Sequence, residues 1–247
     1  MLQALHKGPE VASRKLSGSE RSTVRMRFHT FVRMHDPLKR EIHDVISGKV
    51  EVRFGRTLQT IARYLGEGPQ PGASIENPKR FKQQEAARLE EFIAEKGLWI
   101  TDIDLKQYVS EGAEQRVYLK DPDHVLKLND AIYYSCWRDY FHSLLLHNFF
   151  FEDTAYKLNG FTKENDVLYA VVEQAYVSVT GTTDMEQLKA FLTSNGFQNT
   201  RNNDYFNPDL HIILEDLHDE NVLTRDKVLY FIDTVFYITE DFWSDKR

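Results

Sequence analysis

Three polar side chains late in the 247-residue chain have the types and spacing to handle a phosphate group. Asp216 and Asn221 stand five residues apart in Leu214-Glu215-Asp216-Leu217-His218-Asp219-Glu220-Asn221, and Asp233 follows at the end of the apolar run Val228–Ile232. A loop aspartate accepts a proton, an asparagine offers a carbonyl oxygen to a hard cation, and a second carboxylate shares that cation. Together they suit magnesium-assisted phosphoryl transfer. Charge developing on a transferred phosphoryl group has to be neutralised from more than one side, which is why separated metal ligands are useful. Each residue taken singly is ordinary loop or turn content; the joint spacing between apolar strands carries the functional reading. His218, Asp219 and Glu220 form a polar cluster for which transition-metal binding is the alternative to a plain surface loop.

A lysine with apolar neighbours on both sides, Val125-Leu126-Lys127-Leu128, sits in a run that reads as a buried strand. An ammonium there needs an anionic partner, and phosphate supplies one. Lys120, across the turn Asp121–His124, is expected to be exposed. Upstream, Glu111-Gly112-Ala113-Glu114-Gln115 turns between two strand-like runs. Backbone amides near Gly112 can approach a phosphate and Gln115 can add a side-chain donor, although one glycine at a hairpin turn is commonplace.

The elements that must position these groups follow in order. Residues 1–30 are basic and Ser-rich with little periodicity, and read as a loose arm. Asp36-Pro37 opens a helix ending near Ser47-Gly48, Val50–Phe54 reads as a short strand, and Thr57–Leu65 reads as a second helix. Gly66–Ser74 is the clearest linker, and Asn77-Pro78 starts a helix that runs to Lys96 and stops at Gly97. Strands are expected at Tyr108–Ser110, Gln115–Leu119 and Val125–Leu128. A long buried helix is expected over Ala131–Phe151, then strands at Tyr156–Gly160 and Val167–Val177 and a helix at Asp184–Ser194. Phe197–Pro208 is polar and turn-rich. The end of the chain supplies a strand at Leu210–Leu214 and a hairpin of Val222–Leu223 with Val228–Ile232.

In that order, the region from about Gly97 to Ile238 resembles the protein-kinase-like superfamily, most closely the small kinase-like domain found in polyvalent proteins of phages and mobile elements. Leu214-Glu215-Asp216-Leu217 leading to Asn221 stands where kinases carry H-R-D-L-x-x-x-N, and Asp233-Thr234-Val235 stands where they carry D-F-G. The resemblance implies an α+β, two-lobed fold with a reduced C-terminal lobe, residues 76–247 forming the nucleotide-binding domain and 1–75 a basic arm with a helical segment. It implies Asp216 as catalytic base and Asn221 and Asp233 as magnesium ligands. Lys127, Gly112, Gln115 and Val117 would lie on ATP, and the backbone of Glu173 and Ala175 on adenine. Kinases pair this lysine with a Glu from the following helix, but residues 128–151 contain no Glu; Asp130, Asp139 and Glu152 are the acidic candidates. Leu214 and Glu215 replace His and Arg, which removes the usual partner of a phosphorylated activation loop.

Composition narrows the alternatives. Hydrophobic residues make up 41% of the chain, enough for a packed core. The single cysteine, Cys136, rules out an internal disulfide and a Cys-based zinc site, and its apolar surroundings read as a buried inert thiol. No run reaches transmembrane length and no signal-peptide pattern opens the chain, so a cytoplasmic protein without membrane partners is expected. The net charge of −7 is uneven: residues 1–64 carry thirteen Lys/Arg against six Asp/Glu. Three functions stand open at this point. The first is ATP- and magnesium-dependent transfer to a hydroxyl of a protein or small-molecule acceptor. The second is a pseudokinase that binds nucleotide or a protein partner without turnover, and the third is nucleic-acid association through the basic arm.

Overall fold

The computed structural model describes residues 35–68, 78–103, 107–112 and 115–244. The basic arm, most of the Gly/Pro linker and the Asn77 cap lie outside the described residues. Three helices come first: α1 (His35–Ile46), α2 (Gly55–Gly66) and α3 (Pro78–Lys96). The expected strand at Val50–Phe54 is a turn instead. The buried Gln59 side chain donates to Val45 O at 2.8 Å and Val50 O at 2.6 Å, and Phe54 adopts φ 57° directly before α2. A carbonyl taken by a side chain and a left-handed residue leave no ladder to join. Gly97 (φ 65°) ends α3, with Leu98 N–H returning to Ile93 O at 2.9 Å, the bond that closes a Schellman turn.

A five-stranded antiparallel sheet follows, made of β1 (Tyr108–Glu111), β2 (Gln115–Asp121), β3 (His124–Asn129), β4 (Lys157–Glu164) and β5 (Val167–Ala175), in the spatial order β1-β2-β3-β5-β4. Between β3 and β4 the chain makes α4 (Trp137–Phe150). The helix is shorter than expected because its first six residues are claimed by local polar groups. Asn129 Oδ1 accepts from Ala131 N–H at 2.7 Å, Asp130 Oδ1 accepts from Ile132 N–H at 3.0 Å, and Ala131 sits at φ 57°. Lys82 on α3 donates to the carbonyls of Ala131 and Tyr134. Glu85 on α3 is 5% exposed and caps α4, accepting from Trp137 N–H and, at 3.3 Å, from Arg138 N–H. Burial raises the Glu85 carboxyl above its usual range, against the lowering effect of those two amides. The Cys136 thiol is likewise buried and pushed up by burial, which suits an inert thiol.

After α5 (Met185–Ser194), capped by Asp184, six short strands complete the chain: β6 (Gln198–Arg201), β7 (Asp204–Asn207), β8 (Ile212–Glu215), β9 (Val222–Arg225), β10 (Val228–Phe231) and β11 (Val235–Ile238). They form an antiparallel sheet in the order β11-β8-β7-β6 and the separate hairpin β9–β10. The segment expected to be polar and turn-rich holds the β6–β7 hairpin, and β11 pairs Val235 with Glu215 and Phe236 with Leu214 along β8. The architecture is α+β with antiparallel sheets. One apolar core is continuous from Ile42 and Leu58 through Ile93, Leu145 and Phe161 to Leu214 and Phe236.

Glu85→Ala removes both acceptors from the α4 N-terminus and should cost about 1–2 kcal/mol in chemical denaturation. A midpoint unchanged from wild type would show that the cap is not what holds α4 in place.

Candidate active site

Asp216 leaves β8 with φ 65°, a left-handed conformation that aspartate tolerates better than most residues. Its N–H donates to Asp204 Oδ1 at 3.2 Å. Asn221 closes the loop from the other side, its Nδ2 donating to Asp216 O at 2.9 Å and Asp216 Oδ2 at 2.8 Å. The amide oxygen of Asn221 is thereby turned away from Asp216. Leu217, fully buried, nails the loop to the core, and Ile232 N–H donates to Asn221 O at 2.9 Å. His218 Nδ1 accepts from Glu220 N–H at 3.3 Å, and its Nε2 lies 3.3 Å from Asp216 Oδ1 and 3.1 Å from Asn221 Nδ2. Among the described residues no group of three or more His, Cys, Asp or Glu is placed to hold a metal ion, the His218–Glu220 cluster included.

Asp233 follows β10, and Gln115 Nε2 reaches across from β2 to donate to its Oδ2. Lys127, 3% exposed, extends from β3 to donate to Ile232 O at 2.7 Å, with Asp233 Oδ1 at 3.9 Å. Asp233 therefore offers this lysine a carboxylate. Asp130 turns back on Ile132 N–H, and Asp139 lies among Cys136, Arg138 and Lys82. About a third of the Asp233 side chain (31%) stays open to the cleft, yet crowding raises its carboxyl above the usual range. Burial is the main cause and Asp216 adds to it, while Lys127 and His218 pull the other way.

Gly112, Gln115, Asp216, Asn221 and Asp233 line one cavity of about 460 Å³. Val117 stands opposite Lys127 in the β2–β3 register, and Gln115 opposite Asn129, so Gln115, Val117 and Lys127 share one face of the sheet. Glu173 is placed elsewhere. It sits opposite Leu126, on the other face, where its carboxylate meets Lys120 at 2.6 Å, Asn159 at 3.1 Å and Lys157 at 3.6 Å. Ala175 pairs with His124 and lies beyond the last β4–β5 ladder pair, Lys157 with Glu173.

Other residues join the site. Asp204, Glu215 and Glu220 also line the cavity, which gives it five carboxylates with Asp216 and Asp233, and no Lys or Arg among its lining residues. Burial raises the Glu215 carboxyl, with Asp204 and Asp216 adding to the effect. Behind Asp233, His147 Nε2 donates to Thr154 O at 2.9 Å, which leaves Nδ1 to accept from Thr234 Oγ1 at 2.8 Å. Complete burial, followed by Lys127, lowers the His147 pKa to about 3, the Thr154 contact opposing them.

An unfolded histidine titrates near 6.5, so below that pH the unfolded chain gains a proton that folded His147 refuses. The stability it contributes is complete above pH 6.5 and declines as pH falls toward 3. His147→Leu should be the less stable protein at pH 7.5, because Thr234 and Thr154 O lose their partner. Its deficit should shrink by about 1.4 kcal/mol per pH unit between pH 6.5 and 5 in urea titrations. A deficit constant with pH would show that the imidazole ionises in place.

Comparison with known families gives one match. The family described as Serine/Threonine/Tyrosine Kinase found in polyvalent proteins matches residues 82–240. No curated protein and no solved structure matches the chain.

Proposed function

Because the chain belongs to the family of serine/threonine/tyrosine kinases found in polyvalent proteins, we propose that it is a magnesium- and ATP-dependent phosphotransferase acting on a hydroxyl acceptor. The observation that carries this reading is the meeting of Asp216, Asn221 and Asp233 around one cavity, with Lys127 buried behind Asp233. Gly112 and Gln115 close that cavity from the β1–β2 turn. All three candidate ligand or base groups offer oxygen, the donor a hard cation takes. Asn221 and Asp233 are too few to hold magnesium alone, which fits an ion that arrives with the phosphates and uses one or two protein oxygens. When bound, it would neutralise charge on the transferred phosphoryl group.

The chain's own residues then have distinct tasks. Lys127 supplies a fixed positive charge to the nucleotide phosphates, and Val117 on the same sheet face supplies an apolar surface above them. Asp216 orients the acceptor hydroxyl and takes its proton, its carboxylate held by Asn221 Nδ2 with His218 beside it. Adenine is assigned to the backbone at and after Ala175. Glu173 is left out of that role, since its side chain is engaged with Lys120 and its backbone is paired with Lys157.

One contact favours a second reading, a nucleotide-binding module without turnover. The Gln115 amide occupies the Asp233 oxygen that a metal would use. Calorimetry and γ-phosphate release with Mg-ATP separate the two. Phosphotransfer predicts that Lys127→Met and Asp233→Asn weaken Mg-ATP binding at least tenfold. It also predicts that Asp216→Asn binds normally and loses turnover by about 10²-fold or more. Mg-ATP binding with no transfer in wild type, unchanged in Asp216→Asn, would establish the module. Equal binding by wild type and both ligand variants would remove the nucleotide site altogether.

A further inference from the structure

We propose that Tyr156 is a positioning residue for Lys127, holding its ammonium beside Asp233 in place of a carboxylate from α4; the consequence for nucleotide binding rests on the function proposed above. The phenol oxygen of Tyr156 donates to Ile232 O at 2.7 Å, and Lys127 Nζ donates to the same carbonyl at 2.7 Å. Both lone pairs of that oxygen are thereby used, one by each side chain. The ammonium also lies 5.4 Å from the centroid of the Tyr156 ring, within range of a cation–π contact. Tyr156 is 3% exposed, and burial, followed by the charge of Asp233, raises its phenol well above the usual value, so it remains a hydrogen-bond donor.

The tyrosine is itself fixed by α4. Asn148 Oδ1 accepts from Tyr156 N–H at 2.7 Å, and Asn148 Nδ2 donates to Tyr156 O at 2.8 Å. The adjacent His147 packs on the Tyr156 ring with centroids 4.5 Å apart and reaches Thr234 on the far side of Asp233. Two neighbouring, neutral residues of the helix therefore set both ends of the Lys127–Asp233 pair. A buried lysine demands compensation for lost solvation, and here a carbonyl, a ring face and Asp233 itself supply it.

Tyr156→Phe keeps the ring and deletes only the donor. In the full-length protein it should weaken Mg-ATP binding roughly fivefold to tenfold by calorimetry. The same substitution in a Lys127→Met background should cost nothing further, because a residue that acts through Lys127 has nothing left to position. Loss by an equal factor in both backgrounds overturns the proposal, since a merely structural defect would be additive. A second measurement needs no nucleotide. In wild-type protein alone, the ε-methylene protons of Lys127, assigned by their absence from Lys127→Met spectra, should be displaced upfield by the Tyr156 ring. Signals at the position of an exposed lysine overturn it. An upfield displacement in a protein that fails to bind Mg-ATP would sustain the positioning and refute the nucleotide reading alone.

Discussion

A lysine ammonium placed almost wholly out of water imposes its terms on everything around it. Lys127 is 3% exposed on a strand whose neighbours are apolar, and an uncompensated charge there would cost several kcal/mol. The compensating groups come from three separate places: the β10–β11 connection with Ile232 and Asp233, Tyr156 at the start of β4, and the helix that fixes Tyr156. None is near Lys127 in sequence. The five-stranded sheet, α4 and the final strands must therefore reach their native arrangement together, since each alone leaves a polar group buried without its partner.

Electrostatics on the other side of Asp233 run in the opposite sense. Five carboxylates line the cavity with no Lys or Arg among its lining residues, and Lys127 meets one of them, Asp233, from behind. Asp216 and Asn221 are locked to each other, and Asp204 holds the Asp216 amide. The cleft is thus a rigid, electronegative frame, which favours a ligand that brings cations with its phosphates over a bare phosphate.

Parts of this arrangement could be read from the sequence because they are local. The spacing of Asp216, Asn221 and Asp233 is a property of a few consecutive loops, and the apolar neighbours of Lys127 announced its burial. The places of the strands along the chain followed from turn residues at the ends of short apolar runs, whereas their spatial order in the sheet did not. The roles of Tyr156 and Asp204 were silent, because they arise only from contacts across elements. Length misled at Ala131–Cys136: that stretch continues the aromatic and apolar run of the helix, but Asn129 and Asp130 capture amides at its start. The β6–β7 hairpin was hidden because β6, four exposed polar residues, carries almost no periodic signal and β7 is only four residues long.

The helices ahead of the sheet bear on how such a domain can be moved between proteins. Leu58, Ile61 and Leu65 on α2, and Ile42 and Val45 on α1, belong to the same core as Leu144 and Leu145 of α4. The family match begins only at residue 82, inside α3, so it leaves both earlier helices out. A segment cut at that boundary would present the back of α4 to water as a broad apolar face. The stretch that matches the family is therefore shorter than the stretch whose side chains share this core. Any larger chain that shuffles this module has either to carry α1 and α2 with it or to supply another surface of the same shape.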